Sequence, residues 1–195
     1  MLTLLAAVSI ALPADTNCLW NQSSMPGRGV INIPDARRAS GSPRDSLSFT
    51  AGNATVKVCY SRPSARGRTM IGGEAVPYGR VWRTGANEAT MIHTTGHLMI
   101  AGIHVDAGTY ALYTVPGERE WEIIINRAYL QWGHESSYSD SVRAQEVGRG
   151  RVTASRTAAP VETFTISSQA GRGGDADMIL EWENSRVVIP IQRMR

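Results

Sequence analysis

From about residue 46 onward, apolar side chains recur at every second position, in short runs separated by turn-forming residues. In one such run Val56, Val58 and Tyr60 share one face, while Lys57 and Cys59 share the other. A β-strand alternates its side chains between two faces, whereas a helix repeats every 3.6 residues. The alternation therefore excludes a mainly helical body and predicts an all-β protein.

The strongest hairpin signal lies at residues 110–126. Two runs rich in β-forming residues, 110–115 and 121–126, flank the turn dipeptide Pro116-Gly117. The odd-numbered positions of the second run would face the core, and Ile124 on the opposite face is apolar as well. We therefore expect this strand to be covered on both of its faces.

Similar short runs continue to the end of the chain. They cover residues 143–156, 163–167, 178–183 and 186–192. Pro190 in the last run suggests the edge of a sheet, because proline cannot donate a hydrogen bond to a neighbouring strand. Many short strands with turns between them predict an antiparallel β-sandwich, of which a jelly roll is one form. We expect long loops and at most one short helix, at residues 139–147.

The composition changes along the chain and suggests three segments. Residues 1–14 are an apolar run that is too short for a stable membrane anchor, and we interpret them as a signal peptide. Residues 15–45 show no periodicity and are rich in Ser, Pro, Gly, Asn and Arg, which predicts a loose N-terminal arm. Residues 46–195 would form a single β-sandwich domain. We therefore expect a periplasmic or secreted protein with no stable membrane span.

The two cysteines, Cys18 and Cys59, leave two alternatives open. In an exported chain they could form one disulfide bond. Alternatively, Cys59 could be a small packed residue, since it lies in a strand-like run. There is no C-x-x-C motif in the sequence, so we do not expect a structural zinc site.

The net charge of +3 is carried almost entirely by arginine, because Lys57 is the only lysine. Arginine can recognise phosphate or carboxylate with its planar fork of donors, although a GC-rich genome would produce the same bias. The arginines are interspersed with acidic residues and do not form a basic patch. We therefore predict no nucleic-acid partner.

The segment 77–90, PYGRVWRTGANEAT, has the highest density of polar and aromatic residues with defined chemistry. Gly85 would allow a left-handed turn, and an asparagine such as Asn87 tolerates the same geometry. In one interpretation Arg83, Asn87 and Glu88 converge at the mouth of a pocket and bind a polar ligand. In the other they form a structural corner, in which Arg83 pairs with Glu88 and Asn87 caps the turn.

Aromatic residues accompany this segment. Flat rings beside fixed donors and acceptors suit a sugar or a peptide, which need both stacking and directional hydrogen bonds. The predicted ligand-binding residues are Arg68, Tyr78, Arg83, Asn87, Glu88 and Trp132. We therefore expect a non-catalytic binding module for a small polar molecule or a glycan.

Two other functions stay open. A hydrolase could use Glu88 as general acid or base, with His134 assisting. A structural domain could instead offer an exposed strand edge to another protein. The sequence contains neither the G-x-S-x-G motif of a serine nucleophile nor a phosphate-binding glycine loop between a strand and a helix.

Three histidines, His93, His97 and His104, fall in or near one hairpin. His97 and His104 could meet across its two strands, and three imidazoles would suit a metal ion. However, there is no H-x-H motif and no accompanying carboxylate at a supporting spacing. We therefore predict no metal site and no cofactor.

Several segments together resemble a known bacterial family. They are Ser42-Pro43-Arg44, the run 60–64 leading into Gly67-Arg68, the segment 77–90, the run 107–112 with Pro116-Gly117, Trp121 and Asn126, and Gln131-Trp132-Gly133. In these motifs the chain resembles the family called domain of unknown function 2911, over roughly residues 42–192. The resemblance implies an exported protein with a β-rich body and implies no particular activity.

Overall fold

The computed structural model of the protein describes residues 18, 22–25, 29–32, 41–132 and 137–194. The strands are β1 (Gln22–Met25), β2 (Gly29–Asn32), β3 (Arg44–Ala51), β4 (Ala54–Ser61), β5 (Thr90–Thr94), β6 (Leu98–Ile100), β7 (Ile103–Val105), β8 (Gly108–Val115), β9 (Glu120–Asn126), β10 (Glu146–Ala170) and β11 (Ala176–Arg193). One short α-helix, α1 (Asp140–Arg143), occurs within these described ranges. The prediction of an all-β fold with at most one short helix is confirmed.

Only part of the three predicted segments lies within the described residues. The proposed signal peptide at residues 1–14 lies outside the described residues, as does much of the proposed arm at 15–45. Within that arm, β1 and β2 pair with each other as a two-stranded sheet. The limits of the three segments therefore stay predictions.

The main sheet has nine strands in the order β3-β4-β5-β8-β9-β10-β11-β6-β7. All of its strand pairs are antiparallel. Strands that follow one another in the chain lie side by side, except that the β6–β7 hairpin joins the sheet beyond β11. Antiparallel neighbours need only short connections, which agrees with the turn-forming residues between the alternating runs.

The sheet folds into two layers because its longest strands change partners. Residues 146–153 of β10 pair with β9, and residues 154–170 pair with β11. Further contact between the layers comes from the chain after β4. There the Ala65 amide donates to the Glu162 carbonyl at 2.9 Å, and the Phe164 amide donates to the Pro63 carbonyl at 2.9 Å. The apolar core lies between the layers.

Four aromatic side chains occupy the middle of this core. Trp82 stacks on Trp182 with ring centroids 5.7 Å apart, and it meets the edges of Phe164 and Trp121 at 5.1 and 6.2 Å. Aromatic pairs of this geometry contribute about 0.5–1.5 kcal/mol each beyond the burial of their surface. Trp82 belongs to the 77–90 segment, so the core itself positions the middle of that loop.

A second, smaller apolar cluster covers the outer face of β8 and β9. Tyr113 and Ile124 belong to it, while Ile123 and Ile125 belong to the main core. The ring of Tyr138 packs edge-on against Tyr113 with centroids 4.7 Å apart. The prediction that β9 is covered on both faces is therefore confirmed.

Cys18 and Cys59 form a disulfide bond, with their Cα atoms 5.7 Å apart. The first of the two alternatives is therefore confirmed, and Cys59 is buried in its strand as well. Disulfides of this kind are typical of proteins that fold outside the reducing cytosol. Within the described ranges, no helix has both the length and the apolar character needed to cross a membrane.

Three expectations about the late strands are wrong. The runs at 143–156 and 163–167 fall mostly within one strand, β10, whose register shifts occur on either side of Val161. The runs at 178–183 and 186–192 likewise fall within one strand, β11. Pro190 does not mark a sheet edge, because β11 lies between β10 and β6. Its position falls between the residues that pair with β10 and those that pair with β6, so its missing amide removes no bond from either ladder.

Candidate functional site

The first half of the 77–90 loop is attached to the end of β8. The Gly79 amide donates to the Pro116 carbonyl at 2.9 Å. Trp82 and Thr114 exchange two backbone hydrogen bonds, of 2.7 and 2.9 Å. The Trp82 ring lies in the core, and its Nε1 donates to the Gly85 carbonyl at 3.2 Å. This half therefore consists of backbone pairing and an apolar anchor.

The second half of the loop, residues 84–90, is buried throughout and contains several polar groups. Thr84 Oγ1 donates to Thr114 Oγ1 at 3.1 Å, and Thr90 Oγ1 donates to the Thr84 carbonyl at 2.6 Å. The Thr90 amide donates to the Arg83 carbonyl at 3.1 Å. These bonds join the two ends of the turn, so its backbone geometry is strongly determined.

The left-handed backbone positions of this turn are Thr84, with a φ of 57°, and Asn87, with a φ of 64°. Gly85 is not among them, so the expectation that it supplies the left-handed turn is wrong. It supplies space instead, because a Cβ there would lie 3.0 Å from the Ser61 carbonyl oxygen and 3.2 Å from Thr90 Oγ1. A β-branched residue such as threonine rarely adopts a positive φ, and Thr84 therefore stores strain.

The side chains of the predicted site are removed from solvent. Asn87 is only 6% exposed and Glu88 only 5%. Each of the atoms Arg83 Nε, Asn87 Nδ2 and Glu88 Oε2 has less than 1 Å² of accessible surface. Charged and amide groups of this kind are costly to bury, and the loop nevertheless holds several of them within six residues of sequence.

Glu88 and Trp132 lie next to each other, as the predicted site requires. They form an isolated antiparallel bridge, and the adjacent Ala89 amide donates to the Gln131 carbonyl at 3.1 Å. Trp132 is half-buried. His134, the suggested assistant of Glu88, lies outside the described residues, so a Glu88–His134 pair stays a hypothesis.

Tyr78 and Arg68 lie away from this turn. Tyr78 is 43% exposed and lines a cleft of about 320 Å³ together with Arg156 and Glu183. Among the described residues that line this cleft, none comes from the second half of the loop. Arg68 is exposed. Its guanidinium donates to two carbonyls of its own turn, that of Ala65 at 3.0 Å and that of Ser64 at 3.2 Å.

The cleft contains residues that the sequence did not suggest. The carboxylate of Glu183 accepts the amides of Met70 at 3.0 Å and Ile71 at 2.7 Å, so it joins the 69–71 segment to β11. Its φ of 52° is a further strained position. Arg156 and Glu183 sit in strand-like runs, where polar side chains ordinarily face water, and the sequence contains no signal that singles them out.

The segment that contains Tyr138 is fixed to the sheet by a polar network. Tyr138 donates to Glu146 Oε1 at 2.6 Å, and Arg149 donates to Glu146 Oε2 at 2.8 Å and to Glu122 Oε2 at 2.6 Å. Burial, followed by the hydrogen bond to Glu146, raises the pKa of Tyr138 to about 12. The hydrogen bond from Arg149 is the largest influence on Glu146 and lowers the pKa of that carboxyl.

The protein is thus an antiparallel β-sandwich with a strained and buried turn, residues 84–90, that holds polar groups against its sheet. The chain belongs to the family described as protein of unknown function DUF2911, whose model matches residues 42–191. The match runs from just before β3 to the last residues of β11 and contains the whole 77–90 loop, so the predicted resemblance is confirmed. Searches of curated proteins and of solved structures returned no match.

Proposed function

We propose that the protein is an exported binding module for a small polar ligand or a glycan, which Arg83, Asn87 and Glu88 contact beside Trp132. One observation carries this proposal: an amide and a carboxylate are almost completely buried in a turn that is strained at non-glycine residues. Strain of this kind concentrates at ligand sites, where a fixed geometry is needed before the ligand arrives.

The chemistry of these groups defines the class of ligand. A carboxylate accepts hydrogen bonds, a guanidinium donates them and an amide does both, so together they complement hydroxyl groups or a zwitterion. The half-buried ring of Trp132 adds a flat surface on which a sugar ring can stack. Tyr78 and Arg68 would contact only a longer ligand, such as an oligosaccharide that extends beyond the turn.

Two features support the exported location. The apolar segment 1–14 has the character of a signal peptide, and the Cys18–Cys59 disulfide suits an oxidising compartment. The proposed module would therefore meet its ligand in the periplasm or outside the cell.

A thermal-shift screen of the disulfide-bonded protein against monosaccharides, oligosaccharides, short peptides and nucleotides tests the proposal. A ligand at about 100 times its Kd should stabilise the folded state by about 2.7 kcal/mol. Glu88→Gln preserves the shape of the side chain, so we expect its unliganded melting temperature to stay close to that of the original protein. The ligand-induced shift should disappear. Glu74→Gln, on an exposed nearby position, is the matched control and should retain the full shift.

Other outcomes would point to the competing functions. A Glu88→Gln variant that loses about 3–5 kcal/mol of stability, in a protein that no ligand stabilises, would identify a structural corner. Turnover of a screened glycan or peptide that this variant abolishes, with the melt unchanged, would identify a hydrolase. Neither result is compatible with a non-catalytic binding module.

A further inference from the structure

The β6–β7 hairpin carries a second group of chemically active side chains. Its register pairs Leu98 with Val105 and Met99 with His104. Extending that register by one residue places His97 opposite Asp106. Residues directly opposite each other share a face, and so do residues two apart along a strand. His97, Met99, His104 and Asp106 therefore share the face that points away from the core.

The donor atoms of three of these residues lie close together. One imidazole nitrogen from His97, one from His104 and a carboxylate oxygen from Asp106 all lie within 4.8 Å of one another. His97 Nδ1 is 3.0 Å from Asp106 Oδ1. Two ligands bound to one tetrahedral metal ion are about 3.4 Å apart, given bonds of about 2.1 Å. Only small side-chain rotations would therefore be needed to bring all three onto one ion.

We propose that this face of the β6–β7 hairpin binds a transition-metal ion, copper in preference to zinc, through His97, His104 and Asp106. Imidazole and carboxylate ligands suit both metals, and Cu²⁺ forms the more stable complex with a given set of nitrogen and oxygen donors. Calcium and magnesium are disfavoured because they require mainly oxygen ligands.

Met99 strengthens the preference for copper. It lies directly opposite His104 in the ladder and is half-buried. Directly opposed residues have Cβ atoms about 5 Å apart, which is within reach of a methionine side chain. A thioether is a soft ligand that favours Cu⁺ over zinc. The face therefore suits both oxidation states of copper.

The site is open to solvent. His97 is 63% exposed and Asp106 is 64% exposed, as measured on their side chains. Three ligands from one face leave the remaining coordination positions to water or to an external molecule. This arrangement suits the reversible binding of an exchangeable ion more than a permanent structural metal, because structural sites are closed by protein ligands on all sides.

The proposed metal site is separate from the proposed ligand site around Glu88, since the two sites share no residue. The spacing in the sequence did not reveal it, because Asp106 becomes a partner of His97 only through the register of the hairpin. His93 belongs to a different environment, in β5, where its Nδ1 and Thr109 Oγ1 form a hydrogen bond of 2.9 Å.

The experiment is a calorimetric titration of the full, disulfide-bonded protein with CuCl₂ and ZnCl₂, combined with electron paramagnetic resonance of the Cu²⁺ complex. We expect one Cu²⁺ per chain, tighter than Zn²⁺, with nitrogen hyperfine structure in the spectrum. Loss of a group that is hydrogen-bonded to a metal ligand lowers metal affinity about 10–100-fold. The double variant His97→Gln/His104→Gln removes two direct ligands, so its Cu²⁺ affinity should fall by at least that factor. The matched control His93→Gln should bind as the original protein does.

Two further variants test the other ligands. Asp106→Asn should weaken Cu²⁺ binding, whereas Met99→Leu should weaken Cu⁺ binding in a competition with bicinchoninate and leave Zn²⁺ binding unchanged. The altered side chains of His97, His104 and Asp106 are exposed, so circular dichroism should show an unchanged fold.

Three results would overturn the proposal. They are the absence of saturable Cu²⁺ binding by the original protein, one full equivalent retained by the His97→Gln/His104→Gln variant, and displacement of Cu²⁺ by an equal concentration of Ca²⁺.

Discussion

The two halves of the 77–90 loop differ in how much they bury and in what they bury: residues 77–80 are exposed and Trp82 is the buried anchor, whereas residues 84–90 are buried throughout. The first half ends in Trp82, which packs among three other aromatic rings and has its one polar atom bonded to Gly85. The second half buries Asn87 and Glu88 in a turn with strained backbone. Apolar packing explains the position of Trp82.

The contrast separates residues whose burial stabilises the fold from residues whose burial does not. An aromatic anchor gains free energy directly from leaving water. A buried carboxylate or amide gains little net stability and costs much when its partners are removed. One loop contains both an apolar anchor and buried polar groups. Stability explains the anchor, so the polar residues are the part of the loop that needs an explanation beyond folding.

The largest expected effect on stability concerns Trp82, the apolar anchor of the first half. Trp82→Ala should lower the free energy of unfolding by about 3–5 kcal/mol, since it leaves a large cavity in the aromatic core. Urea denaturation measures this loss. Tyr78→Ala, at an exposed position of the same loop, is the control and should change stability by less than about 1 kcal/mol. Equal losses in the two variants would contradict the role of Trp82 as the anchor.

A smaller effect concerns the backbone of the polar half. Asn87 has a φ of 64°, which glycine adopts freely and alanine does not. Asn87→Ala should therefore be about 1–2 kcal/mol less stable than Asn87→Gly, a difference that chemical denaturation resolves. Both variants lack the amide, so both should lose the proposed ligand equally. If alanine and glycine were equally stable, backbone geometry would not be the reason for asparagine here.

The smallest effect concerns Glu146 at the start of β10, whose carboxylate attaches the segment containing Tyr138 to the sheet and also accepts from Arg149 of its own strand. The folded-state pKa of Glu146 is lowered, so its contribution to stability is present above the unfolded pKa of about 4.3. That contribution is lost as the pH falls through the folded-state value. Glu146→Gln should cost about 1 kcal/mol at pH 7.

Denaturation at a series of pH values checks this. The difference between Glu146→Gln and the original protein should shrink steadily as the pH falls below about 4. Glu118→Gln, in the exposed β8–β9 turn, is the control. A difference that stayed constant with pH would show that the carboxylate charge is not what stabilises this attachment.

Local signals predicted much of the fold. The β8–β9 hairpin follows from two β-rich runs around Pro116-Gly117, and the structure places strands on both sides of that turn. The aromatic core was harder to anticipate, because Trp82 reaches it from a loop and not from an alternating strand. The length of β10 was missed because polar residues and Pro160 interrupt its alternation, and its register shifts accommodate them.

The site was predictable where it depended on neighbours in sequence. Asn87 was named as a residue that tolerates a positive φ and it adopts one, and the loop that contains it is ordered by its own hydrogen bonds. The contact of Glu88 with Trp132, and that of His97 with Asp106, depend on how separate segments align. Spacing along the chain does not encode such alignment, so Trp132 was named together with Glu88 without a predicted contact, and Asp106 was not named as a partner of His97.

The bond between Cys18 and Cys59 makes part of the molecule topologically closed. One proteolytic cut at any peptide bond between these two residues would leave a single covalent molecule, because the bridge still joins the fragments. Removal of residues 1–14 would leave the bridge intact as well. Detachment of the segment that precedes the sandwich therefore requires both a protease and a reductant.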